Sequence, residues 1–178
     1  MSKILVILEQ IDGLIKKSSF EAASKAFQIA TELNAQTQAI TLGDEISNLN
    51  EVAKYGITEI THLKNSLLKN YSPSAYSKLI SDFIKENNFD LIFFSNTSLG
   101  RDLAARISAQ LNAGIAVDVI EINIQDGNLI CTRPIYAGKA LQELVIKSDI
   151  KIFTLRPNVF KAIENNNPNI QINVKDIL

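Results

Sequence analysis

One histidine and one cysteine stand in the whole sequence, His62 and Cys131. A single thiol rules out an intrachain disulfide and a thiolate metal cluster. A single imidazole rules out a multi-histidine metal site, and Ser-His-Asp or Cys-His catalysis could run only through His62. No Gly-x-x-x-x-Gly-Lys-Ser/Thr phosphate loop occurs, nor any Gly-x-Gly-x-x-Gly dinucleotide fingerprint. The net charge is −1, so there is no electrostatic footprint for nucleic acid or an anionic membrane. The first apolar run, Ile4 to Leu8, is five residues long, too short for a signal-peptide core or a membrane span. No repeat recurs at a solenoid period. The expectation is a cytoplasmic protein with no targeting segment, no nucleic-acid partner and no insertion into the bilayer.

What is present is an ordinary globular composition: 178 residues, 46% apolar and 21% charged. A chain of this size buries roughly 70% of its unfolded surface, so its core needs no staples. Ile4–Leu8 reads as a strand covered on both faces. Ser18-Ser19-Phe20-Glu21 reads as a capping box, with Phe20, Ala23, Phe27, Ala30 and Leu33 on one helix face. Gln38–Leu42 is a second strand. A short helix follows from about Ser47 to Tyr55, with Gly56 at its end. Ile57–Leu63 is a third strand. Ser72-Pro73 starts a helix carrying Tyr76, Leu79, Ile80, Phe83 and Ile84. Leu91–Phe94 is a fourth strand, and Ser95–Ser98 opens a helix with Leu99, Leu103, Ile107 and Leu111. Alternation of this kind predicts a parallel sheet with helices on both faces, a three-layer α/β/α Rossmann-like fold. After residue 115 the pattern changes. Ile120, Ile122 and Ile124 alternate, Asp126-Gly127 is hairpin-turn chemistry, and Leu129–Thr132, Ala140–Lys147 and Lys151–Leu155 are strand-like. These are read as antiparallel strands added at the edge of the sheet. The expected domain spans 1–156. Residues 157–178 read as a linker-like tail around Asn165–Asn169, with a last strand-like alternation at Ile170, Ile172 and Val174.

The loop Asn96–Asp102 lies at a strand's carboxyl end and a helix N-terminus, where open α/β sheets bind ligands and helices bind anions. Thr97, Ser98, Gly100 and Arg101 are therefore the cofactor-binding candidates. The plainer reading, in which Thr97 or Ser98 caps the helix and Gly100 packs closely, is the preferred one. Glu9 and Asp12 could pair on a Mg²⁺ ion, but the fourth strand ends without a carboxylate and Asp12-Gly13 suits a turn. His62 reads as structural or surface, and Cys131 as a small core residue. In Arg133–Ala140, "RPIYAGKA", Pro134 marks an edge or bulge and Gly138 a bend or a close backbone approach. Arg133, Tyr136 and Lys139 are the interface candidates, because arginine and tyrosine favour partner surfaces. No catalytic constellation emerges.

Three stretches carry a resemblance: "DGLIKKSSFEA" at 12–22, "TSLGRDLAARISAQL" at 97–111 and "RPIYAGKAL" at 133–141. Together they resemble the N-terminal domain of the electron-transfer flavoprotein alpha subunit. Weaker agreements fall in the same order: the first strand ending in Glu9, Tyr55-Gly56-Ile57, Asp118, and Arg156-Pro157-Asn158. The resemblance covers residues 1 to about 160. It implies an adenine nucleotide hydrolase-like fold and a beta subunit as partner. It implies FAD in the full heterodimer, with electrons passing from flavin dehydrogenases, such as acyl-CoA dehydrogenases, toward the respiratory chain. It also implies that FAD is held by a second, C-terminal domain, so that this stretch is a piece of a longer subunit, an electron carrier rather than an enzyme, and binds no flavin alone. The competing reading is a stand-alone nucleotide-binding module resembling a universal stress protein. That class expects a glycine-spaced phosphate loop, which "SNTSLGRD" does not supply. A small hydrolase ranks last.

Overall fold

The computed structural model describes residues 2–165 and 169–177. The first apolar run forms β1 (Lys3–Ile7), followed by a tight hairpin of β2 (Gln10–Ile11) and β3 (Leu14–Ile15), turned by Asp12-Gly13. Then come α1 (Lys17–Leu33), β4 (Gln36–Gly43), a 3₁₀ segment (Leu49–Tyr55), β5 (Glu59–Lys64), α2 (Pro73–Asn87), β6 (Leu91–Ser95), α3 (Ser98–Leu111) and β7 (Gly114–Val119). The chain continues as β8 (Glu121–Gln125), β9 (Asn128–Ile135), β10 (Ala140–Val145), β11 (Lys151–Leu155) and β12 (Gln171–Asp176).

Seven strands form one sheet in the order β12-β5-β4-β1-β6-β11-β7, and every pairing in it is parallel. Both faces are covered, which is why its central strands read as continuous apolar runs. One core holds Ile4, Val6, Phe93 and Phe153 against α1; the other holds Leu5, Ile7, Ile92 and Ile152 against α2 and α3. Phe93 and Phe153 stack on neighbouring strands with centroids 5.0 Å apart. The fold is thus the expected three-layer α/β/α arrangement with antiparallel additions.

Several details differ from the sequence reading. Lys151–Leu155 is not antiparallel; as β11 it lies inside the parallel sheet between β6 and β7, with Ile152 and Phe153 fully buried on opposite faces. The antiparallel strands β8, β9 and β10 form a separate three-stranded sheet rather than extending the large one. Ile122, Leu129 and Cys131 of that sheet join the core beneath α1. The capping box does not form. The helix starts at Lys17 without a side-chain cap, the Ser18 hydroxyl is buried without a partner, and Glu21 accepts instead from the Asn158 N–H at 2.8 Å. A distant segment outbids the local motif because Glu21 is buried against it.

The boundary at 156 also moves. From Arg156 the chain crosses α1 as a strap, with Ser24 bonded to both backbone groups of Ile163. It then adds β12 beside β5. Residues through Asp176 therefore belong to the packed unit. Of the asparagine-rich turn expected at 165–169, residues 166–168 lie outside the described residues. No helix among the described residues is long and apolar enough to cross a membrane.

Candidate functional site

Strand order reverses between β1 and β6, because β4 and β5 step away on one side of β1 and β6 returns on the other. The carboxyl ends of these two strands define the crevice where open α/β sheets take ligands. Glu9 follows β1 and is 5% exposed. One of its carboxylate oxygens accepts the Thr97 hydroxyl in a short bond; the other pairs with Lys16 Nζ at 3.0 Å. The Glu9 backbone N–H donates to Ser19 Oγ at 2.9 Å. Thr97 Oγ1 in turn accepts the Gly100 N–H at 3.0 Å, capping α3. Gly100 has no room for a side chain: a Cβ would stand 2.0 Å from the Ser95 carbonyl oxygen and 3.1 Å from Glu9 Oε1.

A helix N-terminus attracts anions through its free N–H groups and its dipole. Here the anion is already supplied by the chain, as the Glu9 carboxylate. Of the cofactor candidates, Thr97 spends its hydroxyl on Glu9 and Gly100, Gly100 is wedged under the strand end, and Ser98 and Arg101 face solvent.

A second cluster closes the neighbouring strand ends. Asp118 sits in the left-handed region at φ 64°, held by Arg156 through Nε at 2.9 Å and Nη2 at 2.6 Å. Asn96 donates to the same carboxylate at 2.7 Å and accepts from Thr154 at 3.0 Å. The Arg156 guanidinium first, then the Asn96 amide and the charge of Arg101, hold the Asp118 carboxyl below the usual range against a smaller opposing effect of burial. No local pattern in the sequence announces this network, because Asp118 and Arg156 stand 38 residues apart.

Beside the crevice lies a cavity of about 200 Å³ walled by Ile7, Tyr71, Tyr76, Leu99 and Leu103. Small-molecule sites usually measure roughly 300–1,000 Å³. Its phenols are engaged: Tyr71 donates to Asp102 and Tyr76 to the Leu68 carbonyl, each at 2.6 Å. Burial pushes the Cys131 thiol up to about 12, so it is not a nucleophile at neutral pH. His62 is buried on β5, and burial lowers its pKa. Among the described residues, no group of three or more His, Cys, Asp or Glu side chains could hold a metal ion. Asp12 sits in the β2–β3 turn at φ 49°, as turn chemistry demands.

The "RPIYAGKA" stretch is different. It is the end of β9, a tight turn, and the start of β10. Residues 136–143 are all exposed, so the hairpin tip projects with both faces in solvent. Arg133 Nε bonds Gln142 across the two strands at 2.9 Å. Tyr136, Ala137 and Gly138 take φ of 51°, 54° and 87° in succession. A left-handed non-glycine residue costs on the order of 1–2 kcal/mol. The bend read at Gly138 is there, but not the close approach, since nothing lies within 4 Å of a Cβ built on it. Tyr136 is 78% exposed and Leu141 64%. Arg133, Tyr136 and Lys139 thus come together on one projecting hairpin, away from Thr97, Ser98, Gly100 and Arg101.

FAD carries a pyrophosphate that a helix N-terminus and a glycine-cleared approach normally receive. The described residues do not fit it: the Glu9 carboxylate holds that position at α3, and Gly100 is filled by the strand end.

Comparison with known proteins then finds that residues 4–176 match the family model of the electron transfer flavoprotein domain. The electron transfer flavoprotein subunit alpha of Bacillus subtilis is 32% identical over 164 residues, covering 91% of this chain and 50% of that protein. Protein FixB of Clostridium saccharobutylicum is 28% identical over 172 residues, covering 95% of this chain and 52% of that protein. The lactate dehydrogenase (NAD(+),ferredoxin) subunit LctC of Acetobacterium woodii is 28% identical over 178 residues, covering 98% of this chain and 43% of that protein. The chain spans about half the length of the curated relatives it matches.

Proposed function

Because the chain belongs to the electron transfer flavoprotein family, we propose that it is the scaffold and docking domain of an alpha-type subunit. In this reading the complete subunit pairs with a beta-type subunit. The pair holds FAD outside the present residues and takes electrons from flavin dehydrogenases, such as acyl-CoA dehydrogenases, in the cytoplasm. A flavin supplies the redox chemistry when bound, and this domain supplies shape and placement. Thr97, Ser98, Gly100 and Arg101 then have no cofactor role; Arg133, Tyr136 and Lys139 face the partner.

The observation that carries the reading is the filled crevice. Glu9, Thr97 and Gly100 close the position at which a nucleotide module would receive phosphate. This counts against the stand-alone nucleotide-binding alternative. The test is to express residues 1–178 alone and the complete subunit together with its partner subunit. The short chain is expected to be colourless and to give no heat with AMP or ATP, while the complex is yellow. A short chain that carries near-stoichiometric flavin, or binds AMP at micromolar concentration, overturns the reading.

A further inference from the structure

We propose that an apolar groove at the end of β12 seats the segment of the complete subunit that follows Leu178, and so anchors the root of the subunit's second half on this domain. The inference rests on the functional reading above, which places further chain beyond these residues, and names where that chain first packs.

The groove has a volume of about 290 Å³ and is walled by Leu67, Leu68, Ala75, Leu79 and Ile177, with Asn65 and Lys78 completing the lining. It lies between the single 3₁₀ turn Ser66–Leu68 and the first turns of α2. The tight turn leaves Leu67 outside, 83% exposed. A lone exposed leucine needs no explanation, but an apolar wall rimmed by polar residues marks a contact site. The polar groups here are already engaged. Asn65 Oδ1 accepts the Leu67 N–H at 2.8 Å, and the Asn65 amide donates to the Ile177 carbonyl in a short bond. Lys78 pairs with Asp82 at 2.9 Å. The groove therefore rewards apolar burial far more than hydrogen bonding.

The occupant follows from Ile177. β12 runs parallel to β5, so it ends at the same edge as Lys64 and Asn65. The Ile177 N–H donates to the Lys64 carbonyl at 3.0 Å, and the Ile177 carbonyl takes the Asn65 amide. With both backbone groups pinned and its side chain in the wall, Ile177 delivers the chain to the groove. Side chains alternate along an extended chain, so the next one on the Ile177 face belongs to the position just after Leu178. An aliphatic side chain there meets Leu67 and Leu79. A tethered segment acts at an effective concentration on the order of millimolar, far above that of a free protein partner. The anchor also has work to do, because β12 itself buries little apolar surface: Val174 is 54% exposed.

The test compares residues 1–178 with the complete subunit, alone and with its partner subunit. Leu67→Cys puts a thiol at the groove wall, while the native Cys131 is buried. Maleimide labelling of that thiol is expected to be fast in the short chain. In the complete subunit it should be slower on the order of tenfold, as local burial demands, with no further change when the partner subunit is added. Leu67→Asp, on an exposed side chain that threatens no fold, should leave the Tm of the short chain unchanged. In the complete subunit it should speed amide exchange of the residues just after Leu178 several-fold. Equal labelling of the short chain and the complete subunit overturns the proposal, as does unchanged exchange in Leu67→Asp. Slowing that appears only with the partner subunit overturns it too, since the groove then serves that subunit. So does slowing in the short chain that grows with protein concentration, since the groove then serves a second copy. A complete subunit that forms no yellow complex with its partner overturns the functional reading instead, and its labelling rate still reports on the groove.

Discussion

At the carboxyl edge of the parallel sheet, Glu9, Lys16, Ser19, Thr97 and Gly100 interlock so closely that a methyl group on Gly100 has nowhere to go. At the tip of the β9–β10 hairpin, Tyr136 and Leu141 stand in water on a turn of three left-handed residues. Both regions belong to stretches that carry the family resemblance. The first two stretches are tied to each other through Glu9, whose backbone N–H and one carboxylate oxygen serve Ser19 and Lys16 of the first while the other oxygen serves Thr97 of the second. The third touches little of the domain that displays it. Residue types that look chemical have therefore been used in two ways. Where their partners lie within the chain they build architecture. Where strain and exposure go unrepaid within the chain, they point to a contact outside it.

The comparison can be broken most forcefully at Gly100. Gly100→Ala places a Cβ 2.0 Å from a backbone carbonyl oxygen, which cannot swing aside as a side chain would. The expected loss is on the order of 3 kcal/mol or more in urea unfolding, in the range reserved for severe overpacking. A loss under half of that would mean the strand end yields easily. Thr97→Ala removes the α3 cap and one donor to Glu9. It should cost about 1–2 kcal/mol by the same assay, with Thr97→Ser restoring most of it.

Acid sharpens the comparison further. His62 is buried within the sheet and burial is the main cause of its lowered pKa. The folded state therefore binds its proton less readily than the unfolded state, whose histidine titrates near 6.5. Stability is fully present above that value and falls as pH drops toward the folded pKa. Urea midpoints between pH 7.5 and 5 should fall accordingly, and His62→Gln should flatten that slope. An unchanged slope in His62→Gln would remove His62 from the buried architecture.

The smallest effect on folding belongs to the hairpin tip. Ala137→Gly relieves a left-handed alanine and should stabilise the chain by up to about 1 kcal/mol. Tyr136→Ala should leave the urea midpoint within the scatter of surface substitutions while weakening the partner complex about tenfold. A Tyr136→Ala variant that unfolds early but binds normally would assign the tip to architecture after all.

Local chemistry made much of this legible. Pro73 starts α2, Thr97 caps α3, and Asp126-Gly127 turns β8 into β9 with φ of 50° and 74°. Leu91–Phe94 is a buried strand because a run of that length suits a sheet covered on both faces. Long-range competition hid the rest. Glu21 looks like a capping residue until Asn158, far away in the chain, claims it. Glu9 and Thr97 are 88 residues apart, and neither residue type announces the other. A short strand-like run such as Lys151–Leu155 does not say which strands flank it, so its parallel pairing appears only with the sheet assembled. The left-handed Tyr136 and Ala137 could not be foreseen, since neither side chain favours positive φ.

Backbone hydrogen exchange of the complete subunit, alone and bound to its partner subunit, tests the central claim most directly. The account predicts that amides of residues 139–143 are fast in the free subunit and become protected in the complex, while those of 97–101 exchange alike in both. Protection gained at 97–101, with 139–143 still fast in the complex, would contradict it.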